Sequence, residues 1–168
     1  MPNYRRDYSG CTWFFTVVTK QRRRLFLDEH ARACLREAVW ICRAQYPFHI
    51  DAWVILPDHL HCVWTLPEGD RDYSRRWGII KRRFTQLFGG QCRYALPFWQ
   101  ERFWAHRIDG DSDYRHHMDY VHINPVKHGL VNCVSAWPWS TFHQFVKSAY
   151  YPDDWGGNID IPNGIGKE

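Results

Sequence analysis

The run Trp53-Val54-Ile55-Leu56-Pro57-Asp58-His59-Leu60-His61-Cys62-Val63-Trp64 constrains the fold more than any other stretch of the chain. β-Branched and aromatic residues fill Phe48 to Leu56 and His59 to Leu66, with Pro57-Asp58 between them as a turn pair. The segment therefore predicts two strands joined as a hairpin. Alternation along the second strand sends the His59 and His61 rings to one face, while Leu60 and Val63 fall on opposite faces. Two neighbouring imidazoles on a rigid strand make half of a divalent-metal site. Taken alone, they also fit ordinary strand histidines satisfied by hydrogen bonds.

Other elements flank this hairpin. Cys11 to Thr19 reads as a strand, followed by the basic loop Gln21-Arg22-Arg23-Arg24. Asp28 is placed to cap a helix from Glu29 to about Gln45, whose apolar positions Ala31, Cys34, Leu35, Ala38, Val39 and Cys42 recur at helical spacing. A second helix is expected from Tyr73 to Phe88, with Trp77, Ile80, Phe84, Leu87 and Phe88 on one stripe and Gly89-Gly90 as its stop. Phe98 to Ile108 holds an irregular fourth strand, and Ser112 is placed to cap a third helix reaching about Ile123. Strand, helix, strand, strand, helix, strand, helix predicts an α+β fold: a ferredoxin-like antiparallel four-stranded sheet with helices packed mainly on one face. We expect one domain over residues 1–149 and a tail over 150–168, rich in Gly, Pro, Asp and Asn, that is either loose or a strap over the surface.

The third helix carries the second chemical signal. Tyr114, Met118 and Val121 form a stripe that should face the core. His116, Tyr120 and Asn124 form another, at i, i+4 and i+8: either an active-site wall or a solvated face. Asn124 precedes Pro125, which biases it away from helical dihedrals and toward the helix end. A tyrosine hydroxyl is a weak nucleophile at neutral pH, and becomes useful against a phosphodiester polarised by a metal. A His-x-His half-site with a helical tyrosine is thus a coherent design for nicking DNA.

The charge and ring content suit such a substrate. The net charge is +4, and 10 Trp, 9 Tyr and 10 Phe are enough both to fill a core and to stack on unpaired bases. Arg75, Arg76, Lys81, Arg82 and Arg83 form a basic face on the second helix, with Arg22, Arg23 and Arg24 and Arg5 and Arg6 as further clusters for phosphate contact. Each also fits a plain solvated face. Trp99, Phe103, Trp104, Trp137 and Trp139 are candidates for stacking, with core burial as the default for any one of them. Six scattered cysteines without a C-x-x-C pair, no signal-peptide pattern and no long apolar run lead us to expect reduced thiols, a cytoplasmic location and no membrane span.

Together these motifs resemble the REP-associated tyrosine transposases, within the wider HUH superfamily of single-strand DNA endonucleases. The resemblance rests on Tyr4-Arg5-Arg6, Thr12 to Val17, Ala52 to Pro67, Phe98-Trp99-Gln100 and Asp113 to Gly129, in that order along the chain. It implies that His59 and His61 are the metal pair and Tyr120 the nucleophile. It also implies that Asn124 takes the place of a third, amide ligand, where related transposases usually present Gln. Mg2+ or Mn2+ is the implied ion, and His116 is a candidate proton-transfer group because it shares the face of Tyr120. The implied partner is single-stranded DNA bearing an imperfect repeat hairpin and a short flanking tetranucleotide, cut through a 5′-phosphotyrosine. The enzyme would act as a monomer or homodimer at the nucleoid. Two other readings remain at this stage: a non-catalytic single-stranded nucleic-acid-binding module, and a metal-dependent phosphodiesterase that uses water.

Overall fold

The computed structural model describes residues 10–156. Four strands, β1 (Thr12–Val18), β2 (His49–Ile55), β3 (His59–Thr65) and β4 (Trp104–Arg107), form one antiparallel sheet in the order β2-β3-β1-β4. This is the ferredoxin-like α+β arrangement expected from the element order. Helix α1 (Glu29–Gln45) begins at Asp28, whose carboxylate accepts the His30 N–H at 2.8 Å. Helix α2 (Tyr73–Gly89) is capped by Asp72.

Alternation along the central strands feeds two cores. Phe15, Val17, Leu60, Cys62 and Trp64 point to the face covered by α1 and α2, where the Trp64 and Trp77 rings stack at 4.4 Å. Phe14, Val54 and Val63 point to the other face, covered by α3 (Gly110–Lys127) and α4 (Phe142–Lys147). Helices α1 and α2 share a face as expected; α3, the longest of the three, and the short α4 take the opposite one, so the sheet is buried on both sides. Leu60 and Val63 separate between the two cores, as their parity requires.

Helix α3 is longer than its sequence suggests. It starts at Gly110 rather than after Ser112, and Asp113 reaches back to accept the Asp109 N–H at 2.8 Å. It also runs through Pro125 to Lys127, so Asn124 lies inside the helix. Burial of every residue from Tyr120 to Pro125 outweighs the bias that proline imposes on its neighbour. The helix ends where Gly129 turns left-handed at φ 66°, its N–H bonding the Val126 carbonyl and the Leu130 N–H bonding that of Pro125.

The expected tail begins inside the domain. Tyr151 is buried against Phe142, and its hydroxyl lies 2.9 Å from His122 Nδ1 and 3.2 Å from Asp119 Oδ1. A large ring with one polar atom finds both a core and partners there, which the polar composition around it conceals. The remainder, 157–168, expected as a loose tail or a strap, falls outside the described residues.

Candidate active site

The α3-facing side of β3 presents His59 and His61, both buried. Each ring is held by its Nδ1: that of His59 lies 2.6 Å from Asp58 Oδ1, and that of His61 lies 2.8 Å from Thr16 Oγ1 on the adjoining strand. Burial alone would raise the Asp58 carboxyl, but His59, by hydrogen bond and charge, and Arg22 hold it below its ordinary value. Both rings are anchored through Nδ1, so Nε2 of each is the atom that would ligate an ion, an arrangement by which outer partners can orient metal-binding histidines. The His59 Nε2 atom is buried with no hydrogen-bond partner among the described residues.

Opposite this pair runs the polar stripe of α3. Tyr120 is 1% exposed, and its ring centroid is 5.2 Å from that of His61. The stripe is therefore not a solvated face. Lys127, two turns on, places its ammonium 3.1 Å from the Tyr120 hydroxyl and 4.7 Å from the ring. Asn124 is fully buried; its amide nitrogen donates to the Tyr120 carbonyl at 3.4 Å, and its Oδ1 has no hydrogen-bond partner among the described residues. His116 is partly exposed, on the turn before Tyr120.

One residue that sequence reasoning missed completes the cluster. His128 caps the C-terminus of α3, and its ring centroid is 5.0 Å from that of His59. Ligand atoms of His59, His61 and His128 lie within 4.8 Å of one another. Its signal was present: His116, Tyr120, Asn124 and His128 are evenly spaced by four, and only the expectation of a helix broken before Pro125 hid the fourth member. The donor set fits a divalent ion, with two imidazoles oriented by outer partners, a third nearby and an unpartnered buried ring nitrogen.

The expected basic surface is only partly assembled. Arg76 does not belong to it: the side chain is 2% exposed, paired with Asp70 at 2.7 Å and donating to the carbonyls of Tyr46, Pro47 and Asp72. Helical spacing put it beside Arg83, but its guanidinium serves instead to satisfy the loop before α2. Lys81 is largely buried, donating to the Gln100 carbonyl at 3.0 Å, and burial pulls its ammonium down to about 8. Arg23 donates to the carbonyls of Ala95 and Pro97, and Arg22 pairs with Asp58 at 3.4 Å. Arg24, Arg75, Arg82 and Arg83 are exposed; Arg5 and Arg6 lie outside the described residues.

Among the stacking candidates, Trp99 and Trp137 are buried, while Trp104 is exposed on β4. A groove of about 570 Å3 along the β2 edge carries basic and aromatic residues not singled out before: Arg36, Arg43, Trp40 and Arg32, whose guanidinium lies 3.8 Å above the Trp139 ring. Trp40 is 70% exposed there. No helix among the described residues is long and apolar enough to cross a membrane.

Sequence and fold coincide with a known lineage. The chain is 51% identical over 160 residues, 95% of its length and 93% of the relative's, to the REP-associated tyrosine transposase of Escherichia coli (strain K12). A Haemophilus influenzae (strain ATCC 51907 / DSM 11121 / KW20 / Rd) protein, provisionally named in the same way, is 42% identical over 171 residues, 96% of this chain and 97% of that one. A solved REP-associated tyrosine transposase, bound to a REP hairpin, superposes with a TM-score of 0.85 at 48% identity, covering 100% of this chain and 98% of that one. No family model matches the chain. At these identities and coverages, the chain belongs to the REP-associated tyrosine transposases.

Proposed function

We propose that this transposase nicks single-stranded DNA beside REP-type hairpins, with Tyr120 as nucleophile, and rejoins strands through the resulting 5′-phosphotyrosine. The observation that carries the reading is the packing of the Tyr120 phenol on His61, within the cluster formed by His59, His61 and His128. The hairpin-bound relative supports the choice of substrate.

A divalent ion held by His59, His61 and His128 would supply a Lewis acid for a non-bridging oxygen of the scissile phosphate. Three imidazole nitrogens suit Mn2+ better than Mg2+, which prefers oxygen ligands. The chain's own groups do the rest. Tyr120 Oη attacks phosphorus in line, the phenolic proton is lost, and the departing 3′ oxygen takes up a proton. Lys127, at 3.1 Å, is placed to neutralise charge on Oη as that proton leaves. His116, partly exposed on the preceding turn, is the group we assign to accept it, through solvent. Asn124 holds the Tyr120 carbonyl, and its Oδ1 is buried with no hydrogen-bond partner among the described residues. In strand transfer, a second 3′-hydroxyl attacks the phosphotyrosine, and the phenol is restored.

At 1% exposure, Tyr120 must be uncovered before a phosphate can reach it, so DNA binding and uncovering are coupled. Arg24, Arg75, Arg82 and Arg83 supply phosphate contacts, and Trp104 a stacking surface for an unpaired base. Such a substrate places the protein in the cytoplasm, at the nucleoid.

The reading is tested with hairpin oligonucleotides carrying single-stranded flanks, incubated with Mn2+, Mg2+ or EDTA and resolved on denaturing gels. Nicking that needs the ion and is lost in Tyr120→Phe supports it. Ion-dependent nicking that survives Tyr120→Phe assigns the attack to water, and binding without nicking assigns the chain to a binding module.

A further inference from the structure

A second group of ligating side chains stands on the same sheet face, two strands away from His59 and His61. His106 lies on the edge strand β4, in register with Phe14 and therefore turned toward α3. Asp113 and His117 occupy successive turns of α3, four residues apart, where side chains meet on one face. His106 Nε2 is 2.9 Å from Asp113 Oδ2, and His117 Nδ1 is 3.0 Å from Asp113 Oδ1 and 2.9 Å from the Asp113 carbonyl. The two imidazoles stack with centroids 4.7 Å apart and planes 17° from parallel. The Phe14 ring packs 4.7 Å from His117 and 5.6 Å from His61, which separates the two groups of histidines.

We propose that His106, Asp113 and His117 form a second metal site, suited to Zn2+, that clamps the edge strand β4 to the helix carrying Tyr120. The donor set is two imidazoles and one carboxylate, three ligands with a fourth position left open, and their ligand atoms lie within 4.8 Å of one another. Two ligands from one helix face and one from a neighbouring strand make a chelate, so an ion there would add a joint between two elements already linked by the His106–Asp113 hydrogen bond and the stacked imidazoles. Tetrahedral Zn2+ with nitrogen and oxygen ligands needs donor atoms about 3.3 Å apart, so the His106–Asp113 and His117–Asp113 contacts open by about 0.3–0.4 Å on binding. His106, with a side chain 40% exposed, has room to make that adjustment and leaves the fourth position facing water.

Burial pushes the His117 imidazole below its ordinary value against the pull of Asp113. Burial opposes ionisation of Asp113, yet the Asp109 N–H and the two histidines hold its carboxyl below its ordinary value. The Asp109 N–H also fixes the carboxylate's orientation from outside the cluster, as outer partners of metal ligands do.

The experiment counts Zn2+ bound to the untagged full-length chain by equilibrium dialysis and calorimetry. The variants are His106→Ala, Asp113→Asn and the paired His59→Ala/His61→Ala chain, each checked for folding by circular dichroism. The paired variant is expected to keep one Zn2+ per chain, and adding His106→Ala to remove it with at least a tenfold loss of affinity. His106→Ala or Asp113→Asn alone should bind one ion fewer than the parent. Parent-like Zn2+ binding in both His106→Ala and Asp113→Asn overturns the site, as does a folded paired variant that binds none; either result leaves an ion-free hydrogen-bonded latch. If the paired variant does not fold, the two single variants decide the matter. A parent chain with one Zn2+ that His106→Ala removes keeps this site and counts against Zn2+ at His59 and His61, so the two assignments fail separately.

Discussion

Thr16 Oγ1 lies 2.8 Å from His61 Nδ1, a bond between neighbouring strands that holds the imidazole whose centroid stands 5.2 Å from that of the Tyr120 ring. Antiparallel register alone puts these two residues opposite each other. On the proposed reading, the hydroxyl then fixes which ring nitrogen would be offered to an ion.

Thr16→Val keeps the shape and removes that hydroxyl. We expect the ion concentration for half-maximal nicking to rise about tenfold or more, with the fold retained. A titration of nicking against Mn2+ reads this directly; an unchanged midpoint would mean that Thr16 does not orient the ligand.

His128 and Asn124 divide the question of the third ligand. His128→Ala should raise the Mn2+ requirement by about tenfold or more. Asn124→Ala should chiefly weaken the fold, since its amide is buried in the helix and bonds the Tyr120 carbonyl. Parallel Mn2+ titrations and thermal melts separate the two, and the opposite pattern would return the ligand role to Asn124.

Arg76 belongs to the fold and not to the DNA surface. Removing its guanidinium strands Asp70 and the carbonyls of Tyr46, Pro47 and Asp72, so Arg76→Ala should cost about 2–3 kcal/mol of stability. Urea unfolding measures this loss. The slope of hairpin affinity against salt should stay at the parent value for Arg76→Ala and become shallower for Arg82→Ala/Arg83→Ala.

His122 makes stability sensitive to acid. Burial, aided by the charge of His143, pulls its imidazole down to about 3, while in the unfolded chain it titrates near about 6.5. Between those values the unfolded state binds a proton that the folded state refuses, so stability falls as pH drops from the upper value toward the lower. The loss is absent at about pH 7.5 and reaches about 2 kcal/mol by about pH 5. His122→Gln cannot take up the proton, so its melting temperature should fall less than the parent's over that interval. Equal falls in both chains would place the acid sensitivity elsewhere.

Much of this was legible from side-chain alternation and helical spacing. The period-two pattern around His59 and His61 set strand, face and parity, and the stripe of Tyr114, Met118 and Val121 identified the buried side of α3. What stayed hidden depended on tertiary burial overriding a local rule. Proline at 125 argued for a break, yet the packed segment Tyr120–Pro125 carries the helix on and delivers His128 to the histidine pair. Arg76 looked like its neighbours, because nothing in helical spacing says that three backbone carbonyls need a donor. Tyr151 sat in a polar stretch, and its packing on Phe142 together with the partners His122 and Asp119 explains its burial.

The central claim is that the Tyr120 oxygen itself becomes joined to DNA. The most direct measurement is to trap the reaction of the parent chain with a flanked REP hairpin in Mn2+, digest the adduct with protease and nuclease, and locate the nucleotide by mass spectrometry. The account predicts a nucleotide linked by phosphate to Tyr120, in the peptide that also carries His116 and Asn124. A nucleotide on any other residue, or cleaved DNA with a free 5′-phosphate and no adduct, would contradict it.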